Sequence, residues 1–245
     1  MRSENADPAG TVTRIDSLSI IIPAFNEAEN LPIVIDDVQR EAGKHVADGQ
    51  CEIIIVDDGS QDETSTVAGK AGEQDTRIVV RRHPQNRGLG AAIRTGYEAA
   101  TMSYVCYFPA DGQVPVSSLP QLIDAIGDAD IVTTAYTARP DRGIRLLQSK
   151  VERLIIRMLF PGTPDIRGVP RFMKREVVTQ IPMTSTSGFV NFELLLRATR
   201  NNLKIVTVYI DCLERLGGQS KVNNYRTIFK ILIEMLKLRF RLFEK

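Results

Sequence analysis

The sequence predicts an α/β protein, a mostly parallel sheet covered by helices, built as a single domain with a C-terminal amphipathic helix. Three observations carry that expectation. Short runs rich in Ile and Val alternate with segments of helical spacing. The runs are apolar without interruption, as in strands buried on both faces. Polar clusters also follow directly after three of the runs, at the strand ends where such sheets bind ligands.

The elements follow in order. Residues 19–25 (SIIIPAF) read as a buried strand, and 31–41 carry helical spacing through Leu31, Ile35 and Val38. Residues 52–56 form a second strand, broken by Asp57-Asp58-Gly59-Ser60, with a helix over 64–71. A third strand at 78–82 leads to an alanine-rich helix at 90–101. A fourth at 104–108 is followed by Pro109-Ala110-Asp111-Gly112-Gln113, then a helix at 117–126 and a fifth strand at 131–136. Beyond Tyr136 the pattern loosens. It predicts an amphipathic helix at 146–160, a Gly/Pro stretch at 161–170, a helix at 191–200, a strand at 204–210 and a last amphipathic helix at 226–245. The domain is therefore expected over 17–222, after a flexible tail at 1–16 and before a C-terminal helix at 223–245.

Bulk composition narrows the function. With 245 residues, 43% hydrophobic and 25% charged, the chain can bury a real core. A net charge of +1 gives no global attraction for nucleic acid, so anion binding must come from local clusters. Cys51, Cys106 and Cys212 lack metal-like spacing and suit a reducing compartment. The polar N-terminus does not resemble a signal peptide, and no apolar run approaches the ~18 residues of a membrane span. The expected location is the cytoplasm, with at most a peripheral contact at the cytoplasmic face of a membrane.

Several clusters carry chemistry. Asp57 and Asp58 repel each other unless a donor, a cation or a base edge uses one of them, while Asp62 suits a helix N-cap. Asp111 and Gln113 are hard oxygen ligands suited to Mg²⁺ or Mn²⁺, which would also hold donor phosphates. The Asn86–Gly90 loop is neither a P-loop nor a complete dinucleotide fingerprint and reads first as a packing turn. Arg139, Arg142 and Arg145 form a basic cluster, and Ser149 shares a helical face with Arg145. Arg215 and Lys221 flank a glycine loop that could close over a diphosphate. In the last helix Lys230, Glu234, Lys237 and Arg241 share one face, with most apolar residues opposite; a membrane interface, core packing or a homodimer would each use that pattern. His45 and His83 stand isolated.

Together these residues resemble the family 2 glycosyltransferases of the GT-A (Rossmann-like) fold, and within them the dolichol-phosphate mannose synthase branch of polyprenyl-phosphate glycosyltransferases. The resemblance runs from about Leu18 to Lys221. Pro23-Ala24-Phe25-Asn26-Glu27 is similar to that family's P-x-(Y/F)-N-E opening, and Ile54 to Ser60 to its I-V-D-D-G-S tip. Asn86-x-Gly88-x-Gly90 with Gly96 is similar to its N-x-G-x-G-x-A-x-x-x-G helix start, and Arg215-x-x-Gly218-x-Ser220-Lys221 to its R-x-x-G-x-S-K ending.

The resemblance implies a nucleotide-sugar donor, a polyprenyl phosphate acceptor and a divalent cation. Pro23, Phe25, Glu27, Ile55 and Asp57 would hold the nucleoside, with Asp57 on the base. Ala110 and Asp111 would line the diphosphate, Asp111 and Gln113 would bind the metal, and Arg215 and Lys221 would contact donor phosphates. Asp111, Arg215 and Lys221 are thus the implied catalytic set, and Arg139, Arg145 and Ser149 the implied acceptor-phosphate set. Pro109 replaces the first aspartate of the family's D-x-D. Residues 188–193 also lack the acidic pair that many hydroxyl-acceptor members use, which favours an acceptor already carrying its charge. A soluble acceptor, nucleotidyl transfer and a non-catalytic binding role remain the competing readings.

Overall fold

Isoleucine and valine build the middle of the sheet, because their branched side chains pack well on a pleated surface buried from both sides. The computed structural model describes residues 13–47, 49–137, 154–161, 168–213 and 225–243. Strands β1 (Leu18–Ala24) and β2 (Cys51–Asp57) are buried at every position. They lie beside β3 (Ile78–Arg82) on one flank and β4 (Tyr104–Tyr107) on the other. With β5 (Ile131–Tyr136), β6 (Phe172–Lys174) and β7 (Ile205–Ile210) they form a seven-stranded sheet in the order β3-β2-β1-β4-β6-β5-β7. Only β6 is antiparallel to its neighbours, so the carboxyl ends of the other strands share one rim.

The period of two divides the core. Ile20, Ile22, Ile53 and Ile55 face one layer, which holds α1 (Leu31–Ala42), α2 (Thr64–Gln74) and α4 (Leu119–Ile126). Ile21, Ile54 and Val56 face the other, with α3 (Leu89–Ala99), α5 (Arg175–Gln180) and α6 (Val190–Arg200). Each such buried side chain contributes about 1.5–3 kcal/mol. Helix α3 sits hard against β1: a Cβ on Gly96 would lie 2.3 Å from Ile21 Cγ2. A third cluster, including Phe160, Phe189, Phe192, Met235 and Leu238, joins α6 to the helical residues 154–159 and to α7 (Tyr225–Phe243).

Two elements were absent from the sequence expectation. Strand β6 has three residues, too few for a period to show, and exists because it completes hydrogen bonding between β4 and β5. Helix α5 follows it at once over six residues. The helix expected at 146–160 is seen over 154–159, its earlier part lying outside the described residues. Ser117 falls in a 3₁₀ turn (Val116–Ser118) before α4. Of the N-terminal segment, residues 1–12 lie outside the described residues, whereas Ile15 N–H donates to the His45 carbonyl at 3.0 Å. Cys51 and Cys106 are buried thiols, and burial raises Cys51 to about 11.

Candidate active site

Strand order reverses at β1: β2 and β3 follow on one side and β4 on the other. Open α/β sheets bind ligands at the strand ends beside such a switch point. Pro23-Ala24-Phe25-Asn26-Glu27 and Ala110–Gln113 flank it, and Ala110 N–H reaches the Pro23 carbonyl at 3.3 Å. Asn26 takes the left-handed conformation, φ 52°, that asparagine tolerates. It ties this loop to the next one: its N–H donates to Ser60 Oγ at 2.9 Å, and its Oδ1 accepts from Gln61 N–H at 2.8 Å. Glu27 N–H donates to Thr64 Oγ1 at 2.8 Å, while Glu27 Oε2 accepts from Asn30 Nδ2 at 2.7 Å.

The acidic pair after β2 is closed by the protein itself. Asp57, wholly buried, accepts from Ser60 N–H at 2.9 Å and from the Ser65 hydroxyl, with Arg82 Nε 3.5 Å away. Asp58 accepts from Arg87 N–H at 2.9 Å and Gly88 N–H at 2.8 Å, and its Oδ1 lies 2.6 Å from His83 Nδ1. Five hydrogen-bonding groups and the Arg82 charge thus relieve the repulsion between the two carboxylates. They also commit the Asn86–Gly90 loop, because Gly90 N–H donates to the Thr186 carbonyl at 2.9 Å. Gly88, at φ 98°, leaves no room for a side chain: a Cβ there would lie 2.4 Å from the same carbonyl. The loop is a packing turn. Asp62 Oδ1 accepts from Thr64 N–H at 3.0 Å, but Asp62 is not the N-cap expected of it: that position is Glu63, which makes no side-chain cap bond.

His83 is the residue that sequence reasoning missed. It is buried, with Nε2 2.9 Å from Thr95 Oγ1 and Nδ1 on Asp58. The signal was its position, one residue past β3, whose Arg82 pairs in register with Asp57.

The tip after β4 is built differently. Ala110 is buried, but Asp111 and Gln113 are each half-exposed on the rim. Asp111 Oδ1 accepts from Gln113 N–H at 3.1 Å, and the Gln113 carbonyl accepts from Leu213 N–H at 2.9 Å. Chain position 213, just before Arg215, therefore sits beside this turn. Among the described residues no group of three His, Cys, Asp or Glu side chains converges on a metal position. A carboxylate with an amide oxygen still fits Mg²⁺ or Mn²⁺, which is commonly held by one or two protein groups while phosphates and water complete the shell.

The remaining site residues divide by exposure. Pro23, Ile55 and Asp57 are buried, and Ile55 lies in the core under α1, whereas Phe25 and Glu27 keep exposed surface. Arg139, Arg145, Ser149, Arg215 and Lys221 lie outside the described residues, as does Arg142. Thr137, two residues before Arg139, donates its N–H to the Ile210 carbonyl at 3.0 Å, at the same rim. Glu193 is wholly buried and accepts from the N–H groups of Thr184 and Ser185 and from Arg197 Nε at 2.9 Å. Burial alone would raise its pKa, but the hydrogen bonds from Ser185 and Thr184 and the Arg197 charge outweigh it and hold the carboxyl below the ordinary 4.5. Glu193 is an anchor, unsuited to act as a base.

Residues 19–181 match the family model described as Glycosyl transferase family 2, well over half of the chain. The chain belongs to glycosyl transferase family 2. This glycosyltransferase is 33% identical over 242 residues to the polyprenol monophosphomannose synthase of Mycolicibacterium smegmatis, covering 92% of this chain and 89% of the relative. An uncharacterised glycosyltransferase of Mycobacterium tuberculosis is 30% identical over 85% of this chain and 90% of its own length. Among solved structures, glucosyl-3-phosphoglycerate synthase of Mycobacterium tuberculosis with Mn²⁺, UDP-glucose and phosphoglyceric acid superposes at TM-score 0.72. It is 19% identical, over 91% of this chain and 80% of that one. The same enzyme with Mg²⁺ and UDP gives TM-score 0.69 at 20% identity, over 90% and 79% of the two chains. At that identity the likeness speaks for the GT-A fold of the family 2 enzyme.

Proposed function

We propose that this glycosyltransferase moves a hexose, with inversion, from a nucleoside-diphosphate sugar of the GDP-mannose or UDP-glucose type to a polyprenyl phosphate. The observation that carries the reading is the polyprenol monophosphomannose synthase relative, similar along almost the whole chain. The site is compatible with it. Glu193, the carboxylate of the 188–193 segment, is tied into the fold, and a phosphate acceptor needs no base because it brings its own charge.

In this mechanism Phe25 and Glu27 border the nucleoside, while Pro23, Ile55 and Asp57 hold the floor beneath it. Asp111 and Gln113 would hold Mg²⁺ or Mn²⁺, which would supply Lewis-acid stabilisation of the leaving diphosphate. Arg215 and Lys221 neutralise the same diphosphate, and Arg139, Arg145 and Ser149 orient the acceptor phosphate. An acceptor oxygen attacks the anomeric carbon from the face opposite the diphosphate. The new C–O bond forms as the bond to the diphosphate breaks, and the electron pair leaves with the nucleoside diphosphate.

No helix among the described residues is long and apolar enough to cross a membrane. The enzyme of this proposal works from the cytoplasm and meets its lipid acceptor peripherally, through α7. The test is nucleoside-diphosphate release from GDP-, UDP- and dTDP-sugars with Mg²⁺ or Mn²⁺, with and without polyprenyl phosphate. Release that requires the lipid, with an inverted product, supports the reading. Release driven only by a soluble phosphate-bearing acceptor, or retention of configuration, overturns it.

A further inference from the structure

Helix α7 has two apolar sides. Met235 and Leu238 are buried in the cluster with Phe160, Phe189 and Phe192, which accounts for one of them. Phe229, Leu236 and Phe240 point the other way, 66%, 44% and 68% exposed. Their spacing puts them on a single stripe, with half-buried Ile233 between. Lys230, Lys237 and Arg241, each one residue later, run parallel to that stripe and are also exposed. Among the described residues, three of the nine exposed large apolar side chains lie on this one stripe of α7, and two more, Leu154 and Met158, lie on residues 154–159.

The basic stripe borders a groove of about 380 Å³ between α7 and the turn at Thr184, Ser185 and Thr186. Three cations line it against one carboxylate, Glu234, and Phe229 and Ile233 form an apolar wall. Both oxygens of Glu234 are engaged. Oε1 accepts from Thr186 N–H at 2.8 Å and from its hydroxyl at 3.0 Å, while Oε2 accepts from Ser187. The polar end of the groove therefore favours an anion, and its apolar wall favours a chain attached to one.

We propose that this groove binds the headgroup phosphate of an anionic membrane phospholipid, with Phe229, Leu236 and Phe240 entering the interface beside it. The inference deepens the peripheral contact proposed above and rests on it. It places the contact at Lys230, Lys237 and Arg241, apart from the residues assigned to the acceptor phosphate. Cations beside an exposed aromatic stripe suit a surface that is negative outside and apolar just beneath. The groove also adjoins the donor half of the enzyme. The Thr186 carbonyl accepts from Gly90 N–H, and Lys230 Nζ would lie 3.3 Å from a Cβ on Gly88, whose N–H is held by Asp58. Lipid seated in the groove lies against the turn that supports the Asn86–Gly90 loop.

The test is co-sedimentation of the full chain with vesicles of phosphatidylcholine alone or mixed with phosphatidylglycerol, both free of polyprenyl phosphate. Binding is expected only to the anionic vesicles and should weaken steeply with salt. Lys237→Gln/Arg241→Gln should lower it on the order of tenfold or more. Phe229→Ser/Phe240→Ser should lower it too, with Tm unchanged in both double variants because the four side chains are exposed. Equal binding to neutral vesicles, or double variants that bind like the parent, overturns the proposal. Displacement by low-millimolar inorganic phosphate would show a site for free phosphate, and a concentration-dependent dimer that blocks vesicle binding would show a second copy as the occupant; either overturns it. Turnover with polyprenyl phosphate in detergent micelles is read separately. Its absence beside intact vesicle binding would sink the acceptor reading and leave the groove standing.

Discussion

The tip after β2 and the tip after β4 lie on the same rim and each presents a carboxylate, yet their surroundings differ. Asp57 and Asp58 are buried and accept from backbone and side-chain donors of their own and neighbouring loops. Asp111 keeps exposed surface, and the hydrogen bond its Oδ1 accepts from Gln113 N–H shapes a turn. One tip spends its charge on architecture. The other stays half-exposed on the rim, and the proposed function gives Asp111 and Gln113 the metal and the donor diphosphate. An acidic residue at a strand end is thus weak evidence for ligand contact until its donors have been traced.

Mutations should separate the two tips. The largest expected effect is on turnover: Asp111→Asn should lower kcat about a thousandfold, while Tm moves by no more than about 2 °C. Nucleoside-diphosphate release and thermal unfolding of the same preparation check this, and a matching loss of stability would erase the contrast between the tips. Chelation of divalent cations should stop the parent enzyme, with recovery on adding Mn²⁺.

Asp58→Ala should behave in the opposite sense, lowering stability by about 3 kcal/mol because three donors, buried His83 among them, lose their acceptor. Urea unfolding measures it, and an unchanged midpoint would mean that water replaces the carboxylate at no cost. His83→Ala should cost about 1–2 kcal/mol in the same assay, and His83→Asn less, since an amide can still donate to Asp58.

The smallest effect depends on pH and tests a carboxylate away from the rim. Glu193 has a depressed pKa, so its stabilisation is complete above the ordinary value of 4.5 and is lost as pH falls through the lower, folded value. The Tm gap between parent and Glu193→Gln should therefore be widest near neutrality and shrink below about pH 4. A gap constant from pH 7 to 3 would show that the charge of Glu193 does not contribute.

Much of the fold was legible in the chain. Each of the first five strands was expected within two residues of its observed ends, because continuous Ile/Val runs bounded by turn residues have few other ways to fold. Legibility faded after Tyr136. Strand β6 is defined by its partners, and no pattern within Phe172–Lys174 announces it. In the site, the Asp111–Gln113 turn and the Pro23–Glu27 opening were both readable from motifs. The network of Asp58 with His83 was not, since the two residues are 25 positions apart and meet only because β2 and β3 are neighbours. Helix α7 was read with one apolar face and has two: packing against Phe160, Phe189 and Phe192 covers Met235 and Leu238 and leaves Phe229, Leu236 and Phe240 outside.

By itself, the sequence determined the order of strands and helices, the rim on which polar loops gather and the family to which the chain belongs. These depend on local periodicity and on short motifs, and each residue's contribution there is independent of distant partners. Tertiary structure alone decided which carboxylates face inward, that Glu193 and Glu234 hold successive residues of the segment from Thr184 to Ser187, and that the basic stripe of α7 borders a groove. The physical reason is that a charged group's role follows from the donors and solvent around it, and those are assembled from elements far apart in the chain.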